Sequence, residues 1–162
     1  MVFILGKKNL TIVSPIPLET MIYADHDILK IILNNILHNA VKFSPSEEKI
    51  MVTFQQTKNH DQVCVTDFGV GMDKQTQEKI LTQKVAAYST SGTESEKGYG
   101  LGLKICFRMV DLLNGKIEIN SKKDEGTQFI ISIPRRDQHN KGKDGKPAKI
   151  KNSDLGQRSS DF

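Results

Sequence analysis

The sequence predicts an α/β two-layer sandwich, a mixed and mainly antiparallel sheet covered on one face by two or three helices. Three observations predict it. Apolar residues recur at helical spacing over residues 26–43 and again over 101–113. Two pairs of strand-like runs, 50–57 with 62–66 and 116–120 with 127–133, are each joined by a short polar turn, as antiparallel hairpins are. With 162 residues, 37% hydrophobic and 26% charged, the chain can bury one core without disulfide or metal staples.

Each element has its own justification. Leu10-Thr11-Ile12-Val13 and Met21-Ile22-Tyr23 read as short strands around a Pro15-Ile16-Pro17 connection. Asp25 is placed to cap a helix whose apolar positions are Leu29, Ile32, Leu33, Ile36, Leu37, Ala40 and Val41, and Ser44-Pro45-Ser46 ends it. After the first hairpin comes a glycine-bearing turn, residues 67–72, and a short helix over about 73–81. Residues 82–99 lack periodicity and are rich in Ser, Thr, Gly, Glu and Lys, the composition of a functional lid. Helical spacing resumes to Leu113, where Asn114-Gly115 reads as a C-cap, and the second hairpin ends at Pro134.

Charge excludes some functions. Of the 23 Lys and Arg and 19 Asp and Glu, eight and four respectively lie from Arg135 onward, so the formal +4 belongs to that tail and the body balances. A nucleic-acid-binding body is therefore not expected. No apolar run approaches the ~18 residues of a membrane span, no signal peptide opens the chain, and direct membrane contact is not expected. Cys64 and Cys106 lack metal-ligand spacing and read as reduced core residues of a cytoplasmic protein.

Three motifs carry chemistry. Asn35, Asn39 and Lys42 fall at i, i+4 and i+7 on one face of an otherwise apolar helix. A carboxamide oxygen is a hard neutral ligand for Mg²⁺ and an ammonium suits phosphate, although the same trio fits a solvated face. Asp67-Phe68-Gly69-Val70-Gly71-Met72 follows a strand. A carboxylate there can accept from an exocyclic amine while the glycines let the backbone pass a flat ring, or the Asp can bond its own turn. Gly98-Tyr99-Gly100-Leu101-Gly102-Leu103 opens a helix, where free N–H groups and the dipole cradle phosphates. It is neither a dinucleotide fingerprint, since no strand precedes it, nor a P-loop, since no Gly-Lys-Ser/Thr ends it. Together, and in this order, the motifs supply metal, amine and phosphate recognition for one ligand.

The chain resembles the ATP-binding domain of sensor histidine kinases, in the superfamily that includes gyrase, Hsp90 and MutL, over about residues 7–134. Residues 35–44 are similar to the N box, 67–71 to the G1 box, 98–102 to the G2 box, and Gly126-Thr127-Gln128-Phe129 to the ending of the last core strand. The resemblance implies a Bergerat-type fold that binds ATP and Mg²⁺. It implies Asn39 as metal ligand and Lys42 as a phosphate contact, with Asp67 on the adenine amine and Gly69, Gly71 and Met72 along the ring. Gly98, Tyr99, Gly100, Leu101, Gly102 and Leu103 would line the phosphates, and Thr127 would make a water-mediated adenine contact. Asn35 stands where the gyrase and Hsp90 relatives carry a Glu that activates water. An amide cannot act as a base at neutral pH, so Asn35 suits transfer to a histidine rather than hydrolysis. The F box departs from the family, with Leu81 and Lys84 where aromatics are expected and Tyr88 further on. His26, His38, His60 and His139 all lack the phosphoacceptor pattern.

The resemblance thus implies the catalytic part of a two-component sensor kinase, donating the γ-phosphate to a histidine on a separate dimerisation domain. Its further partner would be a response-regulator receiver domain. Residues 1–6 are expected to be a remnant of a connecting segment, 7–134 the catalytic domain, and 135–162 a basic disordered tail or linker. The fragment is expected to be a monomer on the cytoplasmic side of an inner-membrane receptor. An anti-sigma-factor-type serine kinase, a stand-alone ATPase, and a nucleotide-binding interaction module without transfer activity are the alternatives.

Overall fold

The computed structural model describes residues 2–5, 8–17, 20–86, 101–135 and 148–149. Its main sheet has six strands: β1 (Val2–Leu5), β2 (Leu10–Val13), β4 (Lys49–Gln56), β5 (His60–Asp67), β7 (Gly126–Pro134) and β6 (Lys116–Lys122), in that spatial order. Only β2 and β4 pair in parallel, so the sheet is mixed and mainly antiparallel as expected. A separate two-stranded pair joins β3 (Met21–Ile22) to β8 (Ala148–Lys149).

The first helix, α1 (His26–Phe43), starts where Asp25 accepts from the N–H groups of Asp27 and Ile28, each at 3.0 Å. It buries Leu29, Ile32, Leu33, Ile36, Leu37 and Ala40. Pro45 disfavours helical geometry at Ser44, which is extended, and the Ser44 N–H donates back to the Ala40 carbonyl at 3.0 Å. Orphan carbonyls at this end have a distant partner: the Lys8 ammonium donates to the carbonyls of Val41, Lys42 and Ser44, each at 3.0 Å.

The third helix, α3 (Leu101–Leu112), packs on α1, with Phe107 and Cys106 buried and the Cys106 thiol 3.7 Å from the Ile32 carbonyl. Both helices share one core with the inward side chains Val63 and Val65 of β5 and Phe129 and Ile131 of β7. At the end of α3, Asn114 takes the left-handed position (φ 53°), and Gly115 donates to the Val110 carbonyl at 2.9 Å. A Cβ on Gly115 would stand 2.6 Å from the Ser132 carbonyl, so this glycine serves close approach to β7.

Four stretches differ from expectation, the first being Ala148–Lys149, which pair with β3 as β8 although 135–162 were expected to be a disordered tail or linker. Thr82 to Ala86, expected within the lid, continue the second helix, α2 (Lys74–Ala86). Periodicity misses its length because Ile80 is its one buried apolar side chain among those described and Leu81 is exposed. Val2–Leu5 form β1 and pair with β2, although they were expected in a connecting segment. Arg135, counted with the tail, bonds the β4–β5 turn, its N–H to the Asn59 carbonyl at 2.8 Å and its guanidinium to the Thr57 carbonyl at 3.2 Å. Its Nε lies 3.6 Å from the buried Asp61 carboxylate. Among the described residues no helix is long and apolar enough to cross a membrane.

Candidate functional site

The site grows from the inward row of β5. Alternation buries Asp61, Val63, Val65 and Asp67, so a carboxylate stands at each end of the row and Asp67 takes its last place. Asp67 pairs in register with Thr127 of β7, which pairs in register with Ser121 of β6. One Asp67 oxygen, Oδ1, accepts from the Gly69 N–H at 3.0 Å and the Thr127 N–H at 3.2 Å. Burial pushes the Asp67 carboxyl above the usual carboxylate range, and these two N–H groups oppose the shift. Its Oδ2 has no hydrogen-bond partner among the described residues.

Asp67 opens into a cleft lined by Asn39, Phe43, Gly71, Met72, Ile80, Leu103, Thr127 and Phe129. Asn39 is half-buried, and its carboxamide makes no hydrogen bond among the described residues. A mainly apolar cleft with a few convergent polar groups suits a flat heteroaromatic ligand. Five of the expected site residues besides Asp67 therefore meet in one place: Asn39, Gly71, Met72, Leu103 and Thr127.

The others lie around it. Lys42 is exposed, its ammonium 5.2 Å from the centroid of the cleft-lining Phe43 ring. Asn35 lies in the seam between α1 and α3. Its Nδ2 donates to the Ile31 carbonyl at 2.8 Å, and its Oδ1 stands 2.9 Å from where a Gly102 Cβ would be. Gly98, Tyr99 and Gly100 lie outside the described residues, as do the Leu101 and Lys84 side chains, Tyr88 and His139.

The two glycines after Asp67 have a steric reason in the protein's own backbone. A Cβ on Gly69 would stand 2.2 Å from the Phe43 carbonyl at the end of α1. A Cβ on Gly71, at φ +59°, would stand 1.9 Å from the Lys122 carbonyl. They let the turn lie against protein backbone on both sides, and Gly71 reaches the cleft as a consequence. Gly126, not assigned a role from the sequence, completes the arrangement: at φ +96°, its Cβ would stand 2.1 Å from the Asp67 carbonyl. Phe43, Ile80 and Phe129 were likewise unassigned as lining residues, because apolar cleft walls look like core in a sequence.

Among the described residues no histidine enters the cleft lining: His26, His38 and His60 are partly or fully exposed, on α1 or at the start of β5. Cys106 is inert, its thiol pushed up to about 12 by burial. Cys64 is half-buried on the outer side of β5 rather than in the core, and burial raises its thiol also. Among the described residues no group of three His, Cys, Asp or Glu could hold a metal.

Residues 24–137 match the family model of histidine kinase-, DNA gyrase B-, and HSP90-like ATPases. The chain belongs to this ATPase family. The adaptive-response sensory kinase SasA of Rippkaea orientalis is 32% identical over 133 residues, 81% of this chain and 33% of that protein. The SasA of Synechocystis sp. is 32% identical over 131 residues, 80% of this chain and 33% of its own. The chain thus spans about a third of the length of these curated relatives. Among solved structures, the nucleotide-free catalytic domain of histidine kinase ThkA is 27% identical with a TM-score of 0.62, covering 79% of this chain and 82% of that one. The mycobacterial sensor histidine kinase MprB, 24% identical with a TM-score of 0.59 over 77% and 83% of the two chains, shares the fold. Within the ATPase family, then, the chain corresponds to the ATP-binding catalytic domain of sensory histidine kinases.

Proposed function

We propose that the chain binds Mg-ATP and donates the γ-phosphoryl group to a histidine on a separate dimerisation and phosphoacceptor domain. The observation that carries this reading is the cleft itself, where the Asn39 carboxamide, unpartnered among the described residues, and the Asp67 carboxylate converge between apolar walls. Asp67 accepts from the exocyclic amine of adenine, and Met72, Leu103 and Phe129 enclose the ring. Asn39 fits Mg²⁺, since this ion keeps several waters and phosphate oxygens and needs only one or two protein oxygens. Bound there, Mg²⁺ would supply charge neutralisation for the phosphates.

Protein chemistry in such a transfer is positioning and electrostatics. The γ-phosphorus loses its bond to the β–γ bridging oxygen and gains one to the imidazole nitrogen, ADP leaves, and the incoming imidazole gives up a proton. Asn35 supplies no base for a competing water, because a carboxamide takes no proton at neutral pH; its Nδ2 donates to the Ile31 carbonyl and its Oδ1 faces Gly102. Lys42, Gly98, Tyr99, Gly100, Leu101 and Gly102 are proposed on the phosphate side. The protein acts in the cytoplasm, passes phosphate onward to a response-regulator receiver domain, and is a monomer as this chain alone.

Calorimetric titration with a non-hydrolysable ATP analogue tests binding. The expected outcome is micromolar, Mg²⁺-sensitive affinity, about −8 kcal/mol. Labelled ATP then tests transfer: an acid-labile phosphohistidine appears only when a purified phosphoacceptor domain is added. Binding without transfer would leave an interaction module, and absence of binding would overturn the reading.

A further inference from the structure

Beside the cleft, three contacts converge on the Ser121 hydroxyl. The Met72 N–H donates to Ser121 Oγ at 2.8 Å. The Gly126 carbonyl lies 2.9 Å from the same oxygen, and so does the Thr127 hydroxyl. A hydroxyl has one proton and two lone pairs, an amide N–H only donates, and a carbonyl only accepts. Only one assignment satisfies all three contacts. Ser121 gives its proton to Gly126, takes the Met72 N–H on one lone pair and must take the Thr127 proton on the other. Thr127 therefore meets the cleft with lone pairs alone. Next to it, Asp67 Oδ1 is occupied by two N–H groups while Oδ2 has no partner among the described residues.

Gln77 locks the arrangement. Its Nε2 spends both protons across the same junction, on the Met72 carbonyl at 3.1 Å and the Ser121 carbonyl at 2.9 Å. The loop after Asp67, the first turn of α2 and the β6–β7 hairpin are thereby one unit, and turning the Ser121 hydroxyl would break its own bonds to Met72, Gly126 and Thr127.

We infer that Ser121 is a positioning residue for base selection: by taking the only proton of Thr127, it makes the polar side of the cleft a set of acceptors. Such a set selects a purine whose 6-position carries an amine, directly or through a water, and disfavours a 6-keto purine, which presents another acceptor. The inference rests on the ATP-binding reading above and adds how the base is chosen.

Affinities for ATP and inosine triphosphate, measured on the wild type, Ser121→Ala, Ser121→Thr and Thr127→Val, test it. The wild type is expected to favour ATP. In Ser121→Ala the Thr127 hydroxyl is free to donate, and the ATP-to-ITP preference falls by about three- to tenfold, the size of one hydrogen bond. Ser121→Thr keeps the hydroxyl and restores the preference. A Ser121→Ala variant that loses affinity for both nucleotides equally overturns the inference, since that is what a merely structural residue would do. Should Ser121→Ala not fold, Thr127→Val decides: it removes the acceptor itself, and an unchanged preference overturns the inference. Equal wild-type affinity for the two nucleotides overturns base selection while leaving ATP binding intact. A wild type that binds neither overturns the underlying reading as well.

Discussion

At the scale of single residues, Asp67 sets function against stability. Burial raises its carboxyl above the usual 3.8, so the ionised form is disfavoured in the folded chain relative to the unfolded one. Folding is thus favoured below the ordinary carboxylate range, and that advantage is lost as pH rises through the folded value. Asp67→Asn removes the titration while its carbonyl oxygen can keep the N–H groups of Gly69 and Thr127. The variant is expected to gain stability relative to the wild type between pH 4 and pH 7, measured by denaturant midpoints. It should weaken ATP binding by about 1.5–3 kcal/mol, as for loss of a charged hydrogen bond. Asn39 shows the opposite economy. Having no partner among the described residues, its replacement in Asn39→Ala should change stability by only about 0.5 kcal/mol while abolishing the Mg²⁺ dependence of ATP-analogue binding. Asn39 stands out in the sequence as a polar residue on an apolar helix stripe, and Asp67 as a carboxylate between a strand and two glycines. The proton bookkeeping at Ser121 was not legible, since it depends on which strands stand side by side.

Among the elements, the long periodic helices and the alternating hairpins were readable to within a residue or two at most ends. Elements held by backbone pairing or by a single apolar contact were not. Four apolar residues in a row make β1, without alternation to mark a face, and Ile80 is the one buried apolar side chain among those described in α2. The reason for Gly69 and Gly71 was also hidden, because it lies in the carbonyls of Phe43 and Lys122, both distant in sequence. The C-terminus of α1 gives a test at this scale. Lys8 donates to three of its carbonyls, a tertiary cap that no local motif announces. Lys8→Ala should cost about 1–3 kcal/mol, read as a lower denaturation midpoint, because those carbonyls lose charge-assisted partners.

For the whole molecule, β5 is a rod with a buried carboxylate near each end, Asp67 in the cleft and Asp61 at the far end, about 20 Å away by strand rise. Asp61 accepts from the Gln56 amide at 2.9 Å and faces the Arg135 guanidinium. Arg135→Ala is expected to lower stability by about 1–2 kcal/mol, because a buried carboxylate loses its cation while keeping Gln56. ATP affinity should not change, since the cleft is at the other end; equilibrium unfolding and titration of one sample check both. The Lys8 clamp also has a kinetic meaning. Its acceptors lie 33 to 36 positions away along the chain, so the last turn of α1 cannot acquire this cap from local sequence. Closing so long a loop comes after local helix formation. Asn39 and Phe43 stand at that end of α1, so the nucleotide cleft is among the last parts of the domain to become rigid, and its amides should be among the first of α1 to exchange with solvent when Lys8 is removed.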